Sequence, residues 1–123
     1  MVRTNVSIDV PDLETGLRFY ATVFGWKEVA RPFPTMAILD GNNVSVCLHA
    51  KPKGSRPTPT DAARDYGRHW TPVHLDFHVD DFDATLERAR QAGAVVEMSF
   101  TKPKATAFCS DPFGHGFCLI DNH

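Results

Sequence analysis

The feature that most restricts this chain is that its second half repeats its first. Asn5-Val-Ser-Ile-Asp-Val-Pro-Asp-Leu13 lies over His74-Leu-Asp-Phe-His-Val-Asp-Asp-Phe82 at an offset of 69. Val6, Ile8 and Val10 then fall on Leu75, Phe77 and Val79, Asp12-Leu13 on Asp81-Phe82, and Leu17 on Leu86. Gly25 meets Gly93 at an offset of 68. Asp40-Gly-Asn-Asn-Val-Ser-Val-Cys-Leu48 lies over Asp111-Pro-Phe-Gly-His-Gly-Phe-Cys-Leu119 at 71. Few of these pairs are identical, yet order and spacing persist. A unit of roughly 50 residues is the size at which supersecondary motifs repeat.

Each unit has the same local pattern. Residues 5–10 and 74–79 alternate apolar with polar, the period of a half-buried strand. Asp12 and Asp81 suit helix N-caps, because a short carboxylate can accept from the free N–H groups of the first turn. Leu13, Leu17, Tyr20 and Phe24 fall on one helical face, as do Phe82, Leu86 and Ala89. Gly25 and Gly93 suit the helix ends. Strands follow at about 26–31, 36–40 and 43–49, and again at about 94–100, 105–110 and 115–120. Asp40-Gly41-Asn42-Asn43 and Asp111-Pro112-Phe113-Gly114 are turn sequences. Each unit therefore reads βαβββ, an α+β arrangement. The expected organisation is one domain over 1–123, with modules at 1–50 and 73–123. The Pro-rich stretch 51–72 joins them, and Ala62-Ala63-Arg64-Asp65-Tyr66 within it suits one helical turn.

Composition narrows the partners. The formal net charge is -2 over 123 residues, which argues against nucleic acid. No stretch approaches the roughly 20 apolar residues of a membrane helix. The start, Met1-Val2-Arg3-Thr4-Asn5, lacks the apolar core of a signal peptide. Three cysteines, Cys47, Cys109 and Cys118, make an odd count without CxxC spacing. They predict free thiols and a cytoplasmic location rather than a disulfide framework.

Strand parity sorts the polar residues. Successive side chains point to opposite sides, so Asn5, Ser7 and Asp9 share the face opposite Val6, Ile8 and Val10. His74, Asp76 and His78 oppose Leu75, Phe77 and Val79 in the same way. Ser45, Cys47 and His49 share one face of the fourth strand, and Gly116, Cys118 and Ile120 one face of the eighth. The apolar sets must pack under the helices. The other face then carries Asn5, Cys47, His74 and Cys118 at repeat-related positions, with Ser7, His49 and Asp76 beside them. These seven are the candidate cleft residues. Asp76 between two histidines is also a candidate acid–base partner, or simply part of a wet groove. Cys109 and His115 read as structural. Trp26, Phe33, Trp70, Phe100 and Phe113 remain free to wall a cleft or a dimer seam.

The chain resembles the vicinal oxygen chelate superfamily, the group of glyoxalases, bleomycin-resistance proteins and ring-cleaving dioxygenases. The resemblance covers about residues 5–121 and rests on Val10-Pro-Asp-Leu13, Phe19-Tyr20, Phe24-Gly25-Trp26, the segment from His74 to Phe82, Ala92-Gly93-Ala94 and Ser110-Asp-Pro-Phe-Gly-His115. It implies two βαβββ modules with sheets curled around an open cleft, in a homodimer. In metal-dependent members such as glyoxalase I, four strand positions hold the metal, and they match Asn5, Cys47, His74 and Cys118 here. Only His74 keeps the usual type. Asn replaces His or Gln, and cysteines stand where carboxylates are expected.

Glyoxalase-type isomerisation needs a carboxylate base at the metal, and extradiol cleavage needs two His and one carboxylate. None of the four positions supplies a carboxylate, which disfavours fosfomycin-type transferases as well. Three readings stay open. The first is a small-molecule binding protein of the bleomycin-resistance kind, without the usual metal site. The second is a lyase, isomerase or dioxygenase-like enzyme with a divalent metal, zinc by donor type, on Cys47, His74 and Cys118. The third is a thiol-based sensor or a metal-sequestering protein, resting on the same two cysteines.

Overall fold

The computed structural model describes every residue, Met1–His123. Two compact units divide the chain, Met1–Tyr66 and Gly67–His123. The boundary falls inside the Pro-rich stretch, so each unit keeps part of it.

The first unit runs β1 (Asn5–Val10), α1 (Leu13–Phe24), β2 (Lys27–Phe33), β3 (Met36–Asp40) and β4 (Ser45–Ala50). The second runs β5 (Leu75–Val79), α2 (Phe82–Gln91), β6 (Val95–Phe100), β7 (Thr106–Ser110) and β8 (Gly116–Asp121). The predicted βαβββ pattern is present twice. The sheets are open and ordered β1-β4-β3-β2 and β5-β8-β7-β6, the same topology with each strand replaced by its repeat mate. Register is preserved too. In the parallel pairs, Val6 faces Val46 and Leu75 faces Phe117.

The helices start and stop where the side chains dictate. Asp12 accepts from the Thr15 N–H at 3.0 Å, and Asp81 from the Ala84 N–H at 3.3 Å. Each satisfies a donor that the first turn leaves open. Gly25 ends α1 at φ 70°, a left-handed conformation that costs glycine little. In the second unit the cap is Ala92, with Gly93 one residue beyond it.

The core of each unit lies between helix and sheet. Val10, Leu39, Val46 and Leu48 are almost fully buried in the first unit, and Ala107 and Leu119 in the second. Burying a side chain of the size of Val or Leu stabilises by about 1.5–3 kcal/mol. The buried face of α1 runs through Leu13, Gly16, Phe19, Tyr20 and Val23. It is rotated from the expected face, so that Leu17 and Phe24 are only half-buried. Gly16 explains the rotation. A Cβ there would stand 3.1 Å from Val10, so the helix seats its bare backbone against β1. Phe77 and Phe82 are likewise at the rim, not in the centre.

Residues 62–66 do not form the expected helical turn. The Gly54 N–H donates to the Arg64 carbonyl at 2.7 Å, and the Arg64 N–H to the Ser55 carbonyl at 2.9 Å. This pairing uses backbone groups that a helical turn would need for itself. No helix is long and apolar enough to cross a membrane.

Candidate functional site

In the second unit the open sheet face gathers His74, Asp76 and Cys118. His74 directly precedes β5, and Asp76 lies two residues on, on the same side of the strand. Parallel pairing then places Asp76 opposite Cys118. Ligand-capable atoms of the three lie within 4.8 Å of one another. His74 Nδ1 is 3.3 Å from Asp76 Oδ1, and both side chains are partly exposed. Cys118 is 3% exposed. Burial pushes its thiol up to about 11, and the charge of Asp76 and a hydrogen bond to it act in the same direction. At neutral pH Cys118 is therefore a thiol that donates to a carboxylate.

An aromatic wall stands beside this group. Trp70 lies 4.5 Å from the His74 ring, centre to centre, and stacks nearly parallel to Phe108 at 5.8 Å. Phe108 faces Cys118 across the β7–β8 pair, so wall and polar group share one side of the sheet. The loop carrying Trp70 is pinned. Arg68 Nη2 donates to Glu97 Oε1 at 2.6 Å, and Arg68 Nη1 to the Gly114 carbonyl at 3.3 Å. The Arg68 hydrogen bond holds the Glu97 carboxyl below its usual range. His69 donates its N–H to the Gly114 carbonyl at 3.0 Å, and its Nε2 meets His115 Nδ1 at 2.9 Å. Asp111 is buried and accepts from the N–H groups of Phe113 and His115, each at 2.9 Å, which shapes the turn beneath.

The first unit carries the equivalent positions with different chemistry. Asn5 Nδ2 approaches Cys47 Sγ at 3.8 Å, and Ser7 faces Cys47 across β1–β4. Asp9 faces His49 in the same register and accepts from Arg64 Nε at 2.6 Å. Tyr66 donates to the Lys51 carbonyl at 2.7 Å, and burial raises its hydroxyl above the usual range. A cavity of about 410 Å³ in this unit, with Arg3, Val29, Asn42 and Ser45 among its walls, contains none of the predicted site residues.

Strand parity groups Asn5, Ser7, Cys47, His49, His74, Asp76 and Cys118. The structure brings together Asn5, Ser7 and Cys47 in one unit, and His74, Asp76 and Cys118 in the other. Asp76 joins the donor group as a third ligand type that the predicted metal set lacked. Cys109 lies on the helix side, fully buried, with its thiol pushed up to about 12 by desolvation. Sequence alone leaves Trp70 free to wall a cleft or a dimer seam. The available signal was a tryptophan four residues before the one histidine of the usual ligand type, in a loop otherwise rich in Pro and charge.

His, carboxylate and thiol are donor types that zinc takes, and their ligand-capable atoms cluster within 4.8 Å of one another. A soft sulfur donor suits Mn or Mg less well.

Paired βαβββ modules with polar groups on their open faces define the glyoxalase/bleomycin-resistance class of protein. The chain belongs to the glyoxalase-like domain family, which it matches over residues 5–120, and so to the vicinal oxygen chelate superfamily. The fosfomycin resistance protein FosX of Mesorhizobium loti superposes with TM-score 0.73 at 20% identity, covering 98% of this chain and 91% of that one. A mutant FosX of Listeria monocytogenes, crystallised with Mn(II) and 1S,2S-dihydroxypropylphosphonic acid, gives 0.75 at 16%, covering 98% and 90%. A glyoxalase/bleomycin resistance protein of Albidiferax ferrireducens gives 0.69 at 18%, covering 98% of each chain. At these identities the likeness concerns the fold. No curated protein sequence matches the chain.

Proposed function

We propose that this protein binds a small organic molecule on the open faces of its sheets, without the His/carboxylate metal set of metal-dependent relatives. Asn5, Ser7, Cys47 and His49 line the face of the first module, and His74, Asp76 and Cys118 that of the second. The observation that carries this reading is Trp70 against His74 at 4.5 Å, on the face that also holds Asp76 and Cys118. A large ring beside a few convergent polar groups is the usual make-up of a small-molecule site. Buried free thiols support a reducing, cytoplasmic setting. The assembly proposed is a homodimer, and a monomer by light scattering would end that part of the reading. Saturation-transfer NMR against a library of small aromatic and aliphatic compounds tests the site. Binders should be lost in Trp70→Ala and His74→Ala. Binders indifferent to both changes would place the function elsewhere.

One observation favours a second reading, in which the protein is a metal-dependent lyase, isomerase or dioxygenase-like enzyme. His74, Asp76 and Cys118 offer nitrogen, oxygen and sulfur within 4.8 Å. They would hold zinc, with Asp76 joining His74 and Cys118 in the second module. A bound zinc ion would polarise a substrate oxygen. The Mn(II) of the L. monocytogenes FosX crystal suits oxygen and nitrogen donors better than a thiol. Titration with Co(II) discriminates. A thiolate-to-cobalt charge-transfer band that vanishes in Cys118→Ser supports the metal, and no band in the wild type removes it.

A further inference from the structure

We propose that Trp70 restricts the second module's site to flat aromatic ligands, and that Gly116 is the residue that permits it. The inference rests on the small-molecule reading above and specifies its ligand class.

Trp70 is 42% exposed, so it does not serve the core, yet its ring is held in place. The seat is Gly116, on the same face of β8 as Cys118. A Cβ at Gly116 would stand 2.2 Å from Trp70 Cε3 and 2.6 Å from Cζ3. Those atoms cannot coexist, so any side chain there evicts the indole. Gly116 is not among the glycines with positive φ, which are Gly25, Gly54, Gly93 and Gly114. Its backbone would accept any L-residue, and what its missing side chain provides is space.

The neighbours turn the seated ring into a platform. Phe108 lies within 9° of parallel to Trp70, and Phe100 adjoins Phe108 at 6.1 Å. Arg68, paired with Glu97, stands 5.8 Å from the Trp70 ring centre, and the His69–His115 contact anchors the adjacent residue. At the other end His74 and the Asp76 carboxylate offer hydrogen bonds. A planar ring carrying a hydroxyl can stack on the exposed indole and donate to Asp76. A puckered ring of the same size cannot lie flat. Stacking is worth roughly two- to tenfold in binding beyond the area buried.

The test compares 2-naphthol with decahydro-2-naphthol, which share a skeleton and a hydroxyl but differ in flatness. Binding is measured by calorimetry on the full chain, with EDTA present to exclude metal. The wild type should prefer the naphthol roughly fivefold. Trp70→Ala and Gly116→Ala should both cancel that preference, and Trp70→Phe should retain part of it. Should Gly116→Ala fail to fold by circular dichroism, Trp70→Ala carries the test at a half-exposed position. Equal binding of both compounds by the wild type, or a preference that survives Trp70→Ala, overturns the aromatic selection. If both bind equally and both are lost in His74→Ala, the small-molecule reading stands without it. If neither compound binds, both readings fall for this face.

Discussion

Asp76 stands opposite Cys118 across the β5–β8 pair, and the repeat-equivalent Ser7 stands opposite Cys47 across β1–β4. The duplicated framework has kept the register while the chemistry diverged. In one module the thiol meets a carboxylate beside a histidine. In the other it meets an amide and lies in register with a serine. The histidine–carboxylate–thiol group is thus confined to the second module.

That contact should be visible in thiol reactivity. The Asp76 charge helps to keep Cys118 protonated, so Asp76→Ala should lower the thiol's pKa and raise the thiolate fraction at pH 9. Burial, the larger cause, remains. Alkylation of Cys118 by iodoacetamide, followed by peptide mass spectrometry, should accelerate a few-fold, while Cys109 stays protected.

Cys109 should shape alkaline stability. Its thiol is pushed up to about 12 by burial, whereas an unfolded chain ionises it near 9. The native state thus retains a proton that the unfolded state releases. Stability is fully present below about pH 9 and falls as pH rises towards 12. Urea midpoints measured from pH 8 upward should decline more gently in Cys109→Ala than in the wild type.

The repeat predicts matched energetics in the two cores. Leu48 and Leu119 are repeat mates, and both have 0% exposure. Leu48→Ala and Leu119→Ala should each cost about 2–5 kcal/mol in urea unfolding, since each leaves a cavity beneath a helix.

Asp111 should matter for the turn under the site. Its buried carboxylate accepts two backbone N–H groups, so Asp111→Ala strands both donors. The expected loss is about 1–3 kcal/mol by chemical denaturation.

The Trp70 loop should report its own pins. In Arg68→Met the links to Glu97 and to the Gly114 carbonyl disappear. Trp70 emission should shift to the red and lose anisotropy. Trp26, 9% exposed and stacked on Tyr20 at 5.4 Å, should hold its signal, read in a Trp70→Phe background.

Residues 5–10 alternated cleanly enough for the first strand to be read to its ends, and both Asp caps followed from short-range backbone chemistry. Helix faces were less legible. Periodicity named Leu17 and Phe24 as core, but the close approach of Gly16 to Val10 turned α1, a contact between residues of different elements. The stretch 62–66 misled for a related reason, because its helix-compatible residues found partners at Gly54, Ser55 and Asp9 instead.

By itself the sequence determined the duplication, the βαβββ grammar and the parity that put His74, Asp76 and Cys118 on one face. Those features depend on local periodicity and spacing along the chain. Only the tertiary structure decided that Asp76 meets Cys118, that the thiol stays protonated, and that Trp70 lies over Gly116 against His74. These depend on which strands pair and on what desolvates each group, distances through space that no local spacing encodes.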